Sequence, residues 1–278
     1  MLEYIEIRLP RKWVIKHLKE AIGKAISSRT ISVVLPSEDP NIALIRRLIE
    51  NTKNNDFYHL GWYIRKYSKS ELENAEILLF KFKTAFEPCA EDCNEYVYNY
   101  SNICQHCGCG RVQEKPLQLD VKRLLAGKDF ARTIADEWIC SRNFASIVKS
   151  EGITGADFAP ILTCDGKKEI EKWVQLNVTG KAGRMADSNV FGKDPFNLDI
   201  KGEYKCPAGH VRGLNILSEV HIDRREWDGS DIAITSDMVG LRKGLLAPSP
   251  IIVITQRLYR LLKLHKVTGY EVEVAHLD

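Results

Sequence analysis

The chain repeats itself, and the repeat narrows the folds open to it. Shifted by 114 positions, "DEWICSRNFASIVKSEGITGADFAPIL" (136–162) falls on "PIIVITQRLYRLLKLHKVTGYEVEVAHL" (250–277). Ile139 then meets Val253, Ser141 meets Thr255, Phe144 meets Leu258, and Ile147 meets Leu261. Val148 meets Leu262, Ile153 meets Val267, Thr154 meets Thr268, and Gly155 meets Gly269. Each copy predicts a short buried strand, a helix, a "TG" turn and a second strand. Ser141 and Thr255 stand where a hydroxyl satisfies the free amides of a helix start. The glycines suit the left-handed geometry that ends a helix. Just upstream, "GKDFART" (127–133) matches "GSDIAIT" (229–235) at an offset of 102. The difference of twelve (114 − 102) predicts one insertion within "MVGLRKGLLAPS" (238–249).

The same offset of 102 carries Cys104 onto Cys206, Cys107 onto Gly209 and Gly108 onto His210. The stretches "CQHCGCG" (104–110) and "CPAGH" (206–210) are therefore expected to be one element in two versions. Two thiolates separated by two residues grip one metal ion from a tight turn, and structural zinc wants four such ligands in a tetrahedron. Cys104, Cys107, Cys206 and His210 form the expected set, a structural zinc site joining the two repeats. Two other sets compete with it. Cys89 and Cys93 with Cys104 and Cys107 make a local all-thiolate site, and Cys109 can stand in for Cys107. His106 is expected at the surface, with Cys140 and Cys164 as ordinary thiols. Three thiolates make a metal electron-rich and a poor Lewis acid, which favours a structural role over catalysis.

These patterns predict an α+β fold: two related β-α-β-type repeats with zinc-knuckle turns, residues 76–165 and 166–278, after a mixed α/β segment, 1–75. Within that segment the spacing predicts a helix from about Pro10 to Ile26, a strand at 30–36, and a helix at 39–52. Asp39 is the expected cap of the last, with Pro40 its first residue. A strand comes next at 57–67, then a capping box at Ser68 or Ser70, then a strand near 77–83. Tyr96, Tyr98 and Tyr100 alternate in "EYVYNY", so they are expected on one strand face, packed into the core.

Composition excludes several functions. The net charge of +3 is too weak to argue for nucleic acid or an anionic membrane. The basic residues near the start (Arg8, Arg11, Lys12, Lys16, Lys19, Lys24, Arg29) read first as a solvated face and second as an anion- or partner-binding surface. The opening "MLEYIEIRLPRKWVIK" has no continuous apolar core, so no signal peptide is expected, and no run reaches the ~18 apolar residues of a membrane helix. A cytoplasmic location is expected, with the eight cysteines reduced. Metalloprotease, serine-hydrolase, phosphate-loop and dinucleotide motifs are absent from the sequence, and no enzyme is expected. In "SEVHIDRREWDGSD" (218–231), His221 and Asp223 are the one candidate acid–base pair. A salt-bridged surface strand is the plainer reading, with Trp227 and Gly229 in a turn and Asp231 anchoring the next segment.

The order "C-x-x-C-G", then "G-x-D", then a strand with Ser or Thr opening a helix, then "TG", stated twice, resembles the bacterial double-CXXCG motif proteins. The resemblance spans about residues 65–278 and is strongest in "WDGSDI…PIIVITQRLYRLLKLHKVTGYEVEV" (227–274). It implies an immunity protein of a polymorphic-toxin system that binds one cognate protein toxin. The second motif departs from the pattern, so His210 must replace a thiol if the family's paired site is kept. A zinc-ribbon-like nucleic-acid-binding module is the alternative. Against it stands the lack of clustered cations at the knuckles, where Arg111 and Arg212 are the close ones.

Overall fold

The computed structural model describes residues 1–18, 23–51, 59–86, 89–120, 122, 127–244 and 246–278. The fold is mixed α+β and dominated by strands. The chain opens with β1 (Leu2–Pro10), α1 (Arg11–His17), β2 (Lys24–Ala25), β3 (Thr30–Pro36), α2 (Pro40–Asn51) and β4 (Leu60–Lys66). These strands form an antiparallel sheet in the order β2-β3-β1-β4, a split β-α-β plan. Strand alternation turns Ile5, Ile7 and Leu9 inward with Val33 and Leu35, against Val14, Ile42 and Ile45 of the helices. Asp39 accepts the amide of Asn41 at 2.8 Å, and Pro40 opens α2.

The first helix is shorter than its apolar spacing predicts. It ends at His17, and Lys24–Ala25, expected to be helical, instead pairs with Ile31 and Ser32 as a strand. Sheet hydrogen bonds outweigh a weak helical preference there. Residues 19–22 of that expected helix, Thr52, and residues 57–58 of the expected strand lie outside the described residues. Ser68, not Ser70, makes the capping box of α3 (Lys69–Asn74), and β5 (Ile77–Phe82) follows.

The middle of the chain contains β6 (Ala85–Phe86), α4 (Ala90–Cys93), β7 (Tyr98–Asn99), β8 (Val112–Gln113) and β9 (Gln118–Leu119). Next come β10 (Phe130–Thr133), β11 (Trp138–Ser141), α5 (Arg142–Ser150), β12 (Ala156–Thr163) and β13 (Glu169–Val178). Six of these strands make one sheet, β6-β10-β11-β13-β12-β9, and β7 pairs with β8. The last part contains β14 (Gly180–Gly183), β15 (Phe191–Asp194), β16 (Asn197–Leu198), β17 (Val211–Gly213), β18 (Asn215–Ile216) and β19 (Val220–Ile222). It ends with β20 (Ile232–Val239), β21 (Ser249–Thr255), α6 (Gln256–Leu264) and β22 (Tyr270–Leu277). A second large sheet runs β14-β20-β21-β5-β22-β19, with β17 also on β20, while β16, β15 and β18 form a small sheet.

The first sheet is built wholly from residues before 75, whereas both large sheets combine strands from either side of residue 165. β5, expected in the first unit, lies between β21 and β22, and β13, expected in the second, lies between β11 and β12. The β21–α6–β22 segment therefore takes its middle strand from far upstream, and the β11–α5–β12 segment takes the strand that directly follows it. The hairpins themselves correspond in register. Phe130, Ala131 and Arg132 oppose Cys140, Ile139 and Trp138; Ile232, Ala233 and Ile234 oppose Ile254, Val253 and Ile252. The extra twelve residues lengthen the second hairpin.

Two aspartates cross-link the segments in the same way. The Ser141 hydroxyl donates to Asp129 Oδ1 (2.8 Å), while the amide and hydroxyl of Thr268 donate to Oδ2 (2.9 and 3.1 Å). The Thr255 hydroxyl donates to Asp231 Oδ1 (2.8 Å), while the amide and hydroxyl of Thr154 donate to Oδ2 (3.1 and 3.3 Å). Ser141 and Thr255 also cap α5 and α6. Beside them Gly155 (φ +89°) and Gly269 (φ +91°) press on the carbonyls of Ile232 and Phe130, where any Cβ would overlap an oxygen. Phe144, Ile147 and Val148 of α5 share one core with Leu258 and Leu262 of α6 and Phe80 of β5.

Two expectations are corrected. Cys93 and Cys164, read as a candidate ligand and an ordinary thiol, form a disulfide with Cα atoms 5.0 Å apart. The parallel pairing of β9 with β12 brings the neighbourhood of α4 to the end of β12, a proximity that a separation of 71 residues hides in the sequence. The tyrosines do not share a strand face: β7 covers only Tyr98–Asn99, Tyr96 is 65% exposed, and Tyr98 and Tyr100 meet edge to face. Among the described residues, no helix is long and apolar enough to cross a membrane.

Gly155→Ala and Gly269→Ala should each lose about 1–3 kcal/mol beyond Gly127→Ala, where φ is also positive but nothing crowds the position. Urea midpoints measure this, and equal losses at all three would mean the close approach carries no weight. Reduction of the Cys93–Cys164 bond should cost about 2–4 kcal/mol on the same assay, because the reduced unfolded chain regains loop freedom.

Candidate metal centre

Cys104, Cys107, Cys206 and His210 converge although the two pairs come from distant parts of the chain. Their donor atoms all lie within 4.8 Å of one another. Cys104 Sγ is 3.7 Å from Cys206 Sγ, and His210 Nδ1 is 3.6 Å from Cys107 Sγ and 3.8 Å from Cys206 Sγ. A tetrahedral zinc with bonds of about 2.3 Å to sulfur and 2.0–2.1 Å to nitrogen spans ligand–ligand edges of roughly 3.5–3.8 Å. The donor set could therefore hold a metal ion, and the distances of 3.6–3.8 Å match the edges of a zinc tetrahedron with four protein ligands and no open position for a substrate.

Tight turns present the ligands. Cys104 N donates to Cys109 O at 2.7 Å, and Cys206 N donates to Val211 O at 3.0 Å, the same bond displaced by 102 positions. Gly108 (φ +70°) and Gly209 (φ +80°) close the two turns. The first turn sits between β7 and β8. The second leads into β17, where Val211 pairs with Met238 of β20 and the His210 carbonyl accepts the Met238 amide at 2.8 Å. The lengthened second hairpin thus positions the imidazole ligand.

Electrostatics divide the thiols. Backbone amides of Cys107 and His106 point at Cys104 Sγ and pull its pKa down to about 6, stabilising a thiolate. Burial pushes Cys107 and Cys109 up. Cys109 is buried and turns to Met238 Sδ (3.4 Å), so it does not stand in for Cys107. The local four-thiolate alternative fails, because Cys93 is in the disulfide. Cys89 is fully buried at the start of α4, with its thiol pushed up to about 11, chiefly by burial. His106 is exposed and Cys140 is buried.

Several residues that support the centre belong to no sequence motif. Arg242 lies over the Tyr100 ring (5.2 Å) and reaches the Gly108 carbonyl, and Arg111 lies over Tyr98 (4.3 Å) and donates to Ala135 O. Glu137, buried on the first hairpin, accepts the Ala90 amide (3.0 Å), the Tyr98 hydroxyl (2.9 Å) and the Thr133 hydroxyl (2.6 Å). It fastens α4 and β7 beside the first turn. The sequence held a signal for it, since the offset of 114 sets this acid opposite the apolar Ile251.

His221 and Asp223 do not pair. His221 Nδ1 faces Asp278 Oδ1 at 2.8 Å, and Asp223 is held by the guanidinium and amide of Arg225, which lower its pKa to about 2. Glu219 accepts from Tyr67 (2.7 Å) and faces His276 (2.9 Å), as in a salt-bridged strand. Asp231 anchors the segment after it through the Thr255 hydroxyl. The sequence matches no protein-family model and no curated protein.

Protein purified with its metal should carry about one zinc per chain. Cys206→Ser and Cys107→Ser should lose it while Cys89→Ser keeps it; retention in Cys206→Ser would place the site elsewhere. The depressed pKa of Cys104 makes the metal-free protein reactive there first. Its alkylation rate should rise through about pH 6 and level off above, while Cys107 stays slow to well above neutrality. Peptide mapping after brief iodoacetamide treatment reads both, and zinc should suppress both.

Proposed function

We propose that this protein is a zinc-clamped binding protein, an immunity protein that neutralises one cognate protein toxin by occupying it. The carrying observation is the closed donor set, three thiols and one imidazole from turns about a hundred residues apart. A metal held by four protein ligands organises a scaffold and leaves no site for Lewis-acid chemistry. We read the matched hairpins, caps and cross-linking aspartates as two related repeats, joined at one end by zinc-knuckle turns and at the other by the exchanged "TG" loops. The toxin as partner rests on the sequence resemblance to double-CXXCG proteins. The modest net charge and the absence, among the described residues, of a membrane-crossing helix are compatible with it. In the cytoplasm the free thiols stay reduced and the centre loaded, while the Cys93–Cys164 pair opens with some loss of stability.

Nucleic-acid binding at the knuckles is disfavoured because the Arg111 guanidinium is committed to the Ala135 carbonyl and Arg212 is paired with Asp187 at 2.7 Å. Affinity capture of the tagged protein from its own host tests the proposal. One stoichiometric toxin-like protein in the eluate is expected, and co-expression should rescue cells from it. Elution without such a partner, or rescue that survives loss of binding, would end the immunity reading and leave the metal centre untouched.

A further inference from the structure

The N-terminal sheet has a face that neither the metal centre nor the immunity role uses. Because Ile5, Ile7 and Leu9 turn toward the helices, Tyr4, Glu6 and Arg8 of β1 turn the other way. Register sets Trp62 of β4 opposite Glu6, and Ile64 opposite Tyr4, so the two rings are diagonal neighbours on adjacent strands. On the other side Ser32 lies opposite Arg8, and Lys24 opposite Ser32.

The chemistry of this face is specific. The Arg8 guanidinium lies 4.8 Å from the centre of the Trp62 ring, and Lys66 Nζ lies 4.9 Å from that of Tyr4. Each ring therefore has a cation over it, a position that a stacking base would share or take. Lys24 adds a third positive charge at the rim of a hollow of about 660 Å³ over Arg8, Ser32 and Val34. Glu6, an acid on this face, accepts the Ser32 hydroxyl at 2.6 Å and sits 4.0 Å from Arg8. Arg8 Nε is buried and finds no hydrogen-bond partner among the described residues. Of the basic residues at the start of the chain, Arg8 and Lys24 belong to this surface, whereas Arg11, Lys12 and Lys16 lie in α1.

We propose that this face binds single-stranded nucleic acid, with bases stacked on Tyr4 and Trp62 and phosphates held by Arg8, Lys24 and Lys66. Flat rings interleaved with cations suit a polymer that alternates flat bases with phosphates. One known class of four-stranded sheet recognises RNA by stacking unpaired bases on aromatic side chains of its open face. Stacking is tolerant of sequence, since every base has a π-face. A duplex hides those faces and is excluded. An acidic peptide would satisfy the cations but brings no flat group to both rings.

The test is fluorescence anisotropy of labelled oligouridylate and oligothymidylate with the full, metal-loaded protein, alongside a duplex and a polyglutamate peptide. Single strands should bind and the duplex should not, with affinity falling as salt rises. Trp62→Ala should weaken binding about ten-fold or more, and Trp62→Phe should restore most of it. Lys24→Gln should flatten the salt dependence, while Lys12→Gln on α1 changes nothing. Binding of uridylate alone would assign RNA through its 2′-hydroxyl; binding of both would assign any single strand. No binding of either, or a Trp62→Ala protein that folds and binds unchanged, overturns the proposal. Loss of binding in Arg242→Gln instead would move the site to the knuckles. Trp62-dependent capture of polyglutamate alone would make the face a protein-docking surface.

Discussion

The exchange of hydrogen bonds at Asp129 and Asp231 is the constraint around which the larger part of the molecule is arranged. Each carboxylate has one oxygen on the hydroxyl that caps the nearer helix and the other on the threonine of the opposite "TG" turn. Hydrogen bonds to an ionised acceptor contribute more than neutral ones, on the order of 1.5–3 kcal/mol each. They are also directional, so they fix where each turn sits. The turns can approach only because glycine comes after threonine in both. Removing either carboxylate would leave the threonine amide of the opposite segment unmatched, and a helix start with its cap unsupported.

With α5 and α6 fixed by these bonds, their apolar faces meet in a common core, and strand insertion completes the arrangement. β5, from far upstream, fills the place between β21 and β22, as β13, directly after β12, fills the place between β11 and β12. A segment that needs a borrowed strand does not bury its apolar face alone. The four donors that could hold a metal ion meet from another direction, on turns beside β7–β8 and β17. The disulfide works locally, holding α4 to the end of β12. The N-terminal sheet stands apart in its chemistry, with its own core and a face of rings and cations.

Periodicity and short-range chemistry made part of this structure legible in the sequence. The caps at Ser68, Ser141 and Thr255, the hairpin correspondence and the four converging ligands came from spacing within or between matched stretches. The elements that misled were those decided by distant partners. Lys24–Ala25 continues an apolar helical pattern yet pairs as a strand, and of the alternating tyrosines Tyr96 is exposed while Tyr98 and Tyr100 meet edge to face, their hydroxyls on Glu137 and Glu91. Cys93 looked like half of a local ligand pair until the sheet set Cys164 beside it.

The sequence by itself determined the class of fold, the helix starts, the turns that need glycine, and the pairing of "CQHCG" with "CPAGH" across 102 positions, because each depends on residue type at fixed spacing. Only the tertiary structure decided which strand completes which sheet, which cysteines bond, and which cations lie over which rings. Those outcomes turn on distances between residues far apart in the chain. Such distances are set by the combined packing of sheets and helices, and no local pattern records them.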